Sequence, residues 1–154
     1  MSTLVVEKAE TNALTIRRII VALDLTKKCE ATLDNAAKLA RRYHASLCVA
    51  YVFWPRLLSE EERYYLIDKQ QKEFRQELDQ LVNQVRRITP WCKSAFLVGE
   101  PADRITALAR DSQADLIITT SYHRSLLPSL FIPDKAIELA RRAPCPVLVY
   151  QEED

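Results

Sequence analysis

Five short, nearly continuous apolar runs punctuate this chain, and amphipathic segments separate them. The first is Arg18-Ile19-Ile20-Val21-Ala22-Leu23-Asp24, the second Ser46 to Phe53, and the third Cys92 to Val98. Asp115 to Thr119 is the fourth, and Pro146-Val147-Leu148-Val149-Tyr150 the fifth. Runs of this length and character mark strands covered on both faces. Between the first two, Cys29, Leu33, Ala36, Ala37 and Ala40 recur at helical spacing and form one face of a helix. Lys38, Arg41 and Arg42 fall near its C-terminal end, where cations suit the helix dipole, and His44 just beyond reads as its terminator. After Pro55 a long helical stretch runs from about Ser59 to Arg87. Ser59 supplies an N-cap hydroxyl, Glu60 and Glu61 an acidic first turn, and Glu62 stands at the capping-box position. Leu66, Phe74, Leu78, Leu81 and Val85 are its predicted inner stripe. Gly99-Glu100-Pro101 turns the third strand into a helix with Ile105, Leu108 and Ala109 inward, and a last helix spans Pro133 to Arg142.

Strands alternating with helices imply right-handed crossovers and a parallel sheet. The expected fold is α/β: a Rossmann-like five-stranded parallel sheet with helices on both faces. Residues 16–150 form the domain. Residues 1–15 read as a loose N-terminal arm, and residues 151–154, Gln151-Glu152-Glu153-Asp154, as an acidic tail.

Composition narrows the function classes. The 154 residues are 48% apolar, and 22 basic against 21 acidic residues leave a net charge of +1. Bulk charge therefore gives no reason to expect nucleic acid or an anionic membrane as partner. No apolar run approaches the roughly 18 residues of a membrane span, and the N-terminus lacks the pattern of a secretory signal. The expected compartment is the cytoplasm. Cys29, Cys48, Cys92 and Cys145 are scattered without a Cys-x-x-Cys pair, and there are two histidines, which argues against a zinc site or a redox pair. Buried thiols and no disulfides are expected.

The chain has one glycine, Gly99. Phosphate-binding turns use glycine because it reaches positive φ and lets phosphate oxygens approach the backbone. After the fourth strand the sequence is Thr120-Ser121-Tyr122-His123-Arg124-Ser125, where no residue does this cheaply.

Four segments in register resemble the universal stress protein family. They are Val21-Ala22-Leu23-Asp24 with Leu25-Thr26, Gly99-Glu100-Pro101, Ala114-Asp115-Leu116-Ile117-Ile118, and the closing Ala143-Pro144-Cys145-Pro146-Val147-Leu148-Val149. The resemblance covers about residues 16 to 150 and implies the strand order 3-2-1-4-5. The family's nucleotide-binding members carry Gly-x2-Gly-x9-Gly-Ser/Thr after strand four. That motif falls here on Thr120, His123, Pro133 and Asp134, none of which matches. Pro133 has no N–H to offer a phosphate. The Asp134 carboxylate near 4 Å from a phosphate would cost about 1 kcal/mol in water and roughly 4 at an effective dielectric of 20. The same pair makes a good helix start. Both readings oppose tight triphosphate binding, and no cofactor is expected.

Ligands of such sheets bind beyond the carboxyl ends of the strands, where the strand order reverses. Under the implied order that point lies between strands one and four. Asp24 and Thr26 would face Thr119, Thr120, Ser121 and His123 across it, with Phe53 and Trp54 as a wall. The candidate pocket is therefore Asp24, Thr26, Phe53, Thr120 and His123. In the family the aspartate matching Asp24 helps hold the adenine and ribose end; otherwise Asp24 caps the following segment. His123 is either a solvated loop residue or, with Arg124, an anion-binding or pH-sensitive group. Asp24, Ser121 and His123 have the residue types of a hydrolytic triad, but the glycine-flanked elbow is absent, so no catalysis is expected. The leading reading is a non-catalytic stress-response protein with a degenerate nucleotide pocket that does not bind ATP tightly. It would act as a homodimer through the edge strand Pro146, Val147, Leu148, Val149 and Tyr150. Protein partners would meet the long helix and the apolar loop Leu126 to Ile132. The alternative is a small-ligand sensor that binds an adenine nucleotide, ATP or AMP-like, at the strand 1/strand 4 switch point.

Overall fold

Ile19, Ile20 and Val21 are all buried, so consecutive residues of one strand have partners on both faces, as their unbroken apolar run requires. The computed structural model describes residues 14–24, 29–54, 59–122 and 135–152. Along them run β1 (Arg18–Leu23), α1 (Cys29–Tyr43), β2 (Ser46–Phe53), α2 (Glu60–Val85), β3 (Cys92–Val98), α3 (Pro101–Asp111), β4 (Leu116–Tyr122), α4 (Lys135–Arg142) and β5 (Val147–Glu152). The strands form one parallel sheet in the order β3-β2-β1-β4-β5. This is the Rossmann-like α/β sheet expected from the alternation of elements.

Side chains alternate across a strand, and the two faces build separate cores. Ile19, Val21, Leu47, Val49 and Ile118 pack beneath α1 and α2 with Leu33, Ala36, Ala37, Ala40, Leu78 and Val82. Ile20, Cys48, Ala50 and Ile117 pack beneath α3 and α4 with Ile105, Ala109 and Leu139. Three fully buried alanines, Ala36, Ala37 and Ala40, let α1 lie close on the sheet. On α2, Leu78 and Val85 face inward as predicted, together with Val82, while Phe74 and Leu81 are half-buried. The side chain of Leu66 lies outside the described set.

Helix ends follow local chemistry. Ser59 caps α2 in a reciprocal capping box: its hydroxyl accepts from the Glu62 N–H, and the Glu62 carboxylate accepts from the Ser59 N–H at 3.0 Å. Glu100 caps α3, accepting from the Asp103 N–H at 2.8 Å, with Pro101 in the first turn. His44 and Gln113, both at φ 53°, close α1 and α3 in the left-handed conformation usually given to glycine.

The bounds of β4 and β5 differ from the sequence reading. β4 begins at Leu116 rather than Asp115, whose carboxylate accepts the N–H groups of Arg17 and Arg18 at 2.8 and 2.9 Å. It then continues through Thr120, Ser121 and Tyr122, opposite Tyr150, Gln151 and Glu152 of a lengthened β5. The first two residues of the expected acidic tail are therefore strand. Hydroxyl and aromatic residues suit an extended backbone, and no glycine interrupts them. Most of the N-terminal arm, Thr26, His123, the loop 126–132, Pro133 and Asp134 lie outside the described residues. Among those described, no helix is long and apolar enough to cross a membrane.

Candidate functional site

β1 and β4 are neighbours in the centre of the sheet, yet the chain leaves them toward opposite edges. Beyond their carboxyl ends, on the side of α3 and α4, a cleft of about 420 Å³ opens, within the usual range of small-ligand sites. Its floor is apolar and largely small: Ala22 from β1 and Ala50 and Val52 from β2. Ala102 and Ile105 of α3 and Ala136 and Leu139 of α4 form the far walls. Asp24, Thr119 and Thr120 bring polar groups to its edge, and Trp54 adds an indole.

Gly99 makes this arrangement possible. Its φ is +137°, its N–H donates to the Phe53 carbonyl at 2.9 Å, and a Cβ there would meet Arg104 Nε at 2.5 Å. The chain's one glycine thus makes the sharp turn that seats the first turn of α3 above the strand ends. Arg142 then ties α4 to that turn, pairing with Asp103 and lying 3.8 Å from Glu100 and 3.5 Å from Glu138.

The sequence-predicted residues divide. Asp24 follows directly after β1, is exposed, and lines the cleft as expected. Its negative charge reaches the neighbours. The Cys29 thiol is pushed up to about 11, chiefly by burial and then by Asp24. The Tyr51 phenol is raised for the same two reasons in the same order. Thr120 also lines the cleft, but its hydroxyl shares a 2.6 Å hydrogen bond with the hydroxyl of Thr32 in α1. Phe53 does not line the cleft. It is buried, with its ring 5.9 Å from Phe74 and 6.4 Å from Phe96, in the layer of α2. Its ring and that of Tyr51, 5.2 Å from Phe74, share one face; Tyr51 also borders the cleft, and Trp54 just past the strand supplies the wall. Thr26 and His123 fall outside the described residues.

Sequence reasoning missed Thr32, the walls formed by Ala102 and Ala136, and the alanine floor. Thr32 had a legible signal. It stands on the inward face of α1 between Cys29 and Leu33, where a buried hydroxyl requires a partner. All four cysteines are free thiols, and burial raises the pKa of each: Cys29, Cys92 and Cys145 to about 11, and Cys48 in the same direction.

Known proteins share this architecture. The sequence pattern of the Universal stress protein family matches residues 15–151. "Universal stress protein Sll1388" of Synechocystis is 25% identical over 149 residues, spanning 87% of this chain and 97% of its own. A universal stress protein solved in complex with cAMP superposes with a TM-score of 0.68 at 18% identity, over 90% of this chain and 99% of that one. The universal stress protein from Archaeoglobus fulgidus in complex with dAMP gives 0.60 at 18% identity, over 89% and 98%.

Proposed function

Since the chain belongs to the universal stress protein family, we propose that it is a stress-response protein that works by binding and not by catalysis. Its cleft would take an adenine nucleoside carrying at most one phosphate. The observation that carries this reading is the course of β4 at the mouth of the cleft. A phosphate cradle needs successive N–H groups that converge on one point. Thr120, Ser121 and Tyr122 are instead laid out as a strand along β5, whose N–H groups point alternately to either side. The base and ribose would sit beneath α3 and α4, and Asp24, at the cleft edge, would accept from ribose hydroxyls or an exocyclic amine. Two solved relatives support the ligand class, one in complex with cAMP and the other with dAMP.

A thermal-shift titration with ATP, ADP, AMP, cAMP and adenosine tests it. Saturation at 100 times the dissociation constant stabilises by about 2.7 kcal/mol. The expected order places AMP, cAMP and adenosine above ATP. Asp24→Ala should remove the shift and leave the melting temperature of the free protein within a degree or two. A larger shift with ATP than with AMP would overturn the proposal. A destabilised Asp24→Ala protein that still binds would reduce Asp24 to a cap.

A second reading concerns assembly. β5 lies at the edge of the sheet, beside β4, and Val147 to Tyr150 are half-buried and apolar. Such an edge favours pairing with a second copy, so the binding protein would act as a two-fold dimer across β5.

A further inference from the structure

In a parallel α/β sheet every strand starts at one end, and the helix connecting two strands returns there. The C-termini of α1 and α2, neighbours in the same layer, therefore meet at the amino end of the sheet, opposite the cleft. A pair of arginines, Arg41-Arg42, lies in the last turn of α1 and another, Arg86-Arg87, directly follows α2, all exposed. A third exposed pair, Arg17-Arg18, enters β1 at the same end; alternation turns Arg18 to the face of α3 and α4, where its Nη1 donates to Gln113 Oε1 at 3.2 Å. Hydrogen bonds between the strand starts hold these segments side by side. The Arg17 carbonyl accepts from the N–H of Ser46 at the start of β2, and the Trp91 carbonyl accepts from Leu47 beside it. Arg86 Nε donates to the Cys92 carbonyl at 3.0 Å, so its guanidinium lies against the start of β3.

Two aromatic rings stand among these cations. Trp91 is 60% exposed and Tyr43 is 48% exposed. Two carboxylates at this end have local partners, Asp115 in the backbone of Arg17 and Arg18 and Asp79 in the hydroxyl of Ser94, and Asp111 at the end of α3 is exposed. Among the described residues, none of the six arginines forms an ion pair. The first turn of α2, with Glu60, Glu61 and Glu62, makes the other end acidic. A net charge of +1 therefore conceals charge sorted along the strand direction.

We infer that this end of the molecule binds single-stranded nucleic acid, with the arginines on phosphates and Trp91 and Tyr43 stacking on bases. Helix dipoles account for cations at C-termini, but not for arginine doublets that form no ion pair among the described residues and stand near exposed aromatics. Arginine's planar fork matches phosphate and stacks on bases, which lysine's point charge does not. A positive surface with aromatic platforms is the recurring solution for single strands. A membrane surface would call for an inserted apolar face, and the described residues at this end offer two separated rings.

The test is fluorescence anisotropy of 5′-labelled 20-nucleotide poly(U) and poly(dT) against the full chain. Binding should be saturable at 50 mM salt and weaken as salt rises, with a log–log slope of about −2 to −3 if three or four phosphates are held. Arg41→Gln, Arg42→Gln and Arg87→Gln combined should weaken it at least tenfold. Trp91→Ala should weaken it by about fivefold or more, and Trp91→Phe should restore most of that loss. Lys69→Gln with Lys72→Gln, about 20 Å along α2, should change it less than twofold. Absence of binding, or a loss in the lysine control equal to that in the arginine variant, would overturn the inference. So would sedimentation with anionic phosphatidylserine vesicles by a protein that does not bind either oligonucleotide. If the triple variant melts early, the salt slope and the Trp91 pair still decide.

Discussion

Thr32 is the residue that best shows how a side chain near the cleft can be structural and functional at once. Buried in α1, its hydroxyl has the Thr120 hydroxyl as partner at 2.6 Å. Thr32→Val keeps the shape and strands the Thr120 hydroxyl, so it should cost roughly 1–3 kcal/mol in urea denaturation. Thr32→Val with Thr120→Val should cost clearly less than the sum of the single changes. Equal additivity would mean that the bond carries no stability. The sequence announced Asp24, since it ends an apolar run where a switch-point acid belongs. It did not separate Phe53 from Trp54. A run apolar on both faces carries no mark of which layer holds the cleft, so the parity that turns Phe53 toward Phe74 became visible only with α2 in place.

Element boundaries obey short-range rules wherever the end of an element is chemically marked. Ser59 and Glu62 announced the start of α2 and form the capping box. Ser59→Ala should cost about 1 kcal/mol. Hydrogen bonds from Ser59 hold the Glu62 carboxyl below its ordinary 4.5. A lowered folded-state pKa contributes stability that is present above the unfolded value and lost as pH falls through the folded one. The gap in melting temperature between wild type and Ser59→Ala should therefore narrow between pH 6 and pH 3. A gap that is constant with pH would remove the Glu62 half of the box. β2 and β3 were legible to their last residues because Pro55 and Gly99 follow closely on the end of their pairing. β4 was not, because Thr120, Ser121 and Tyr122 break the apolar pattern while the backbone continues beside β5. Edge pairing uses main-chain groups, which sequence periodicity does not register.

Across the whole molecule, two properties follow from where the cores and edges lie. Thiols sit in both cores, and burial lifts Cys29, Cys92 and Cys145 from 9.0 to about 11. Raised folded-state values mean stability that is full below pH 9 and declines as pH rises toward 11. Melting temperatures across that window should fall, and Cys92→Ser, though destabilised throughout, should fall less steeply. The two edges of the sheet differ in kind. β3 carries the exposed Lys93 on its edge, one of the devices that discourage strand addition, and Arg75 covers Phe96 at 4.4 Å. β5 has no charge from Val147 to Tyr150. Pairing of two copies should accordingly select β5, giving a concentration-dependent dimer in sedimentation equilibrium. Leu148 packs against the core beneath α1 and α2, so a lysine there tests folding as much as assembly. Val149, half-buried and assigned to neither core, is the better probe. Val149→Lys should give a monomer that melts in one cooperative transition, since its charge would be trapped only in the paired state. A Val149→Lys dimer as tight as wild type would exclude β5 as the interface.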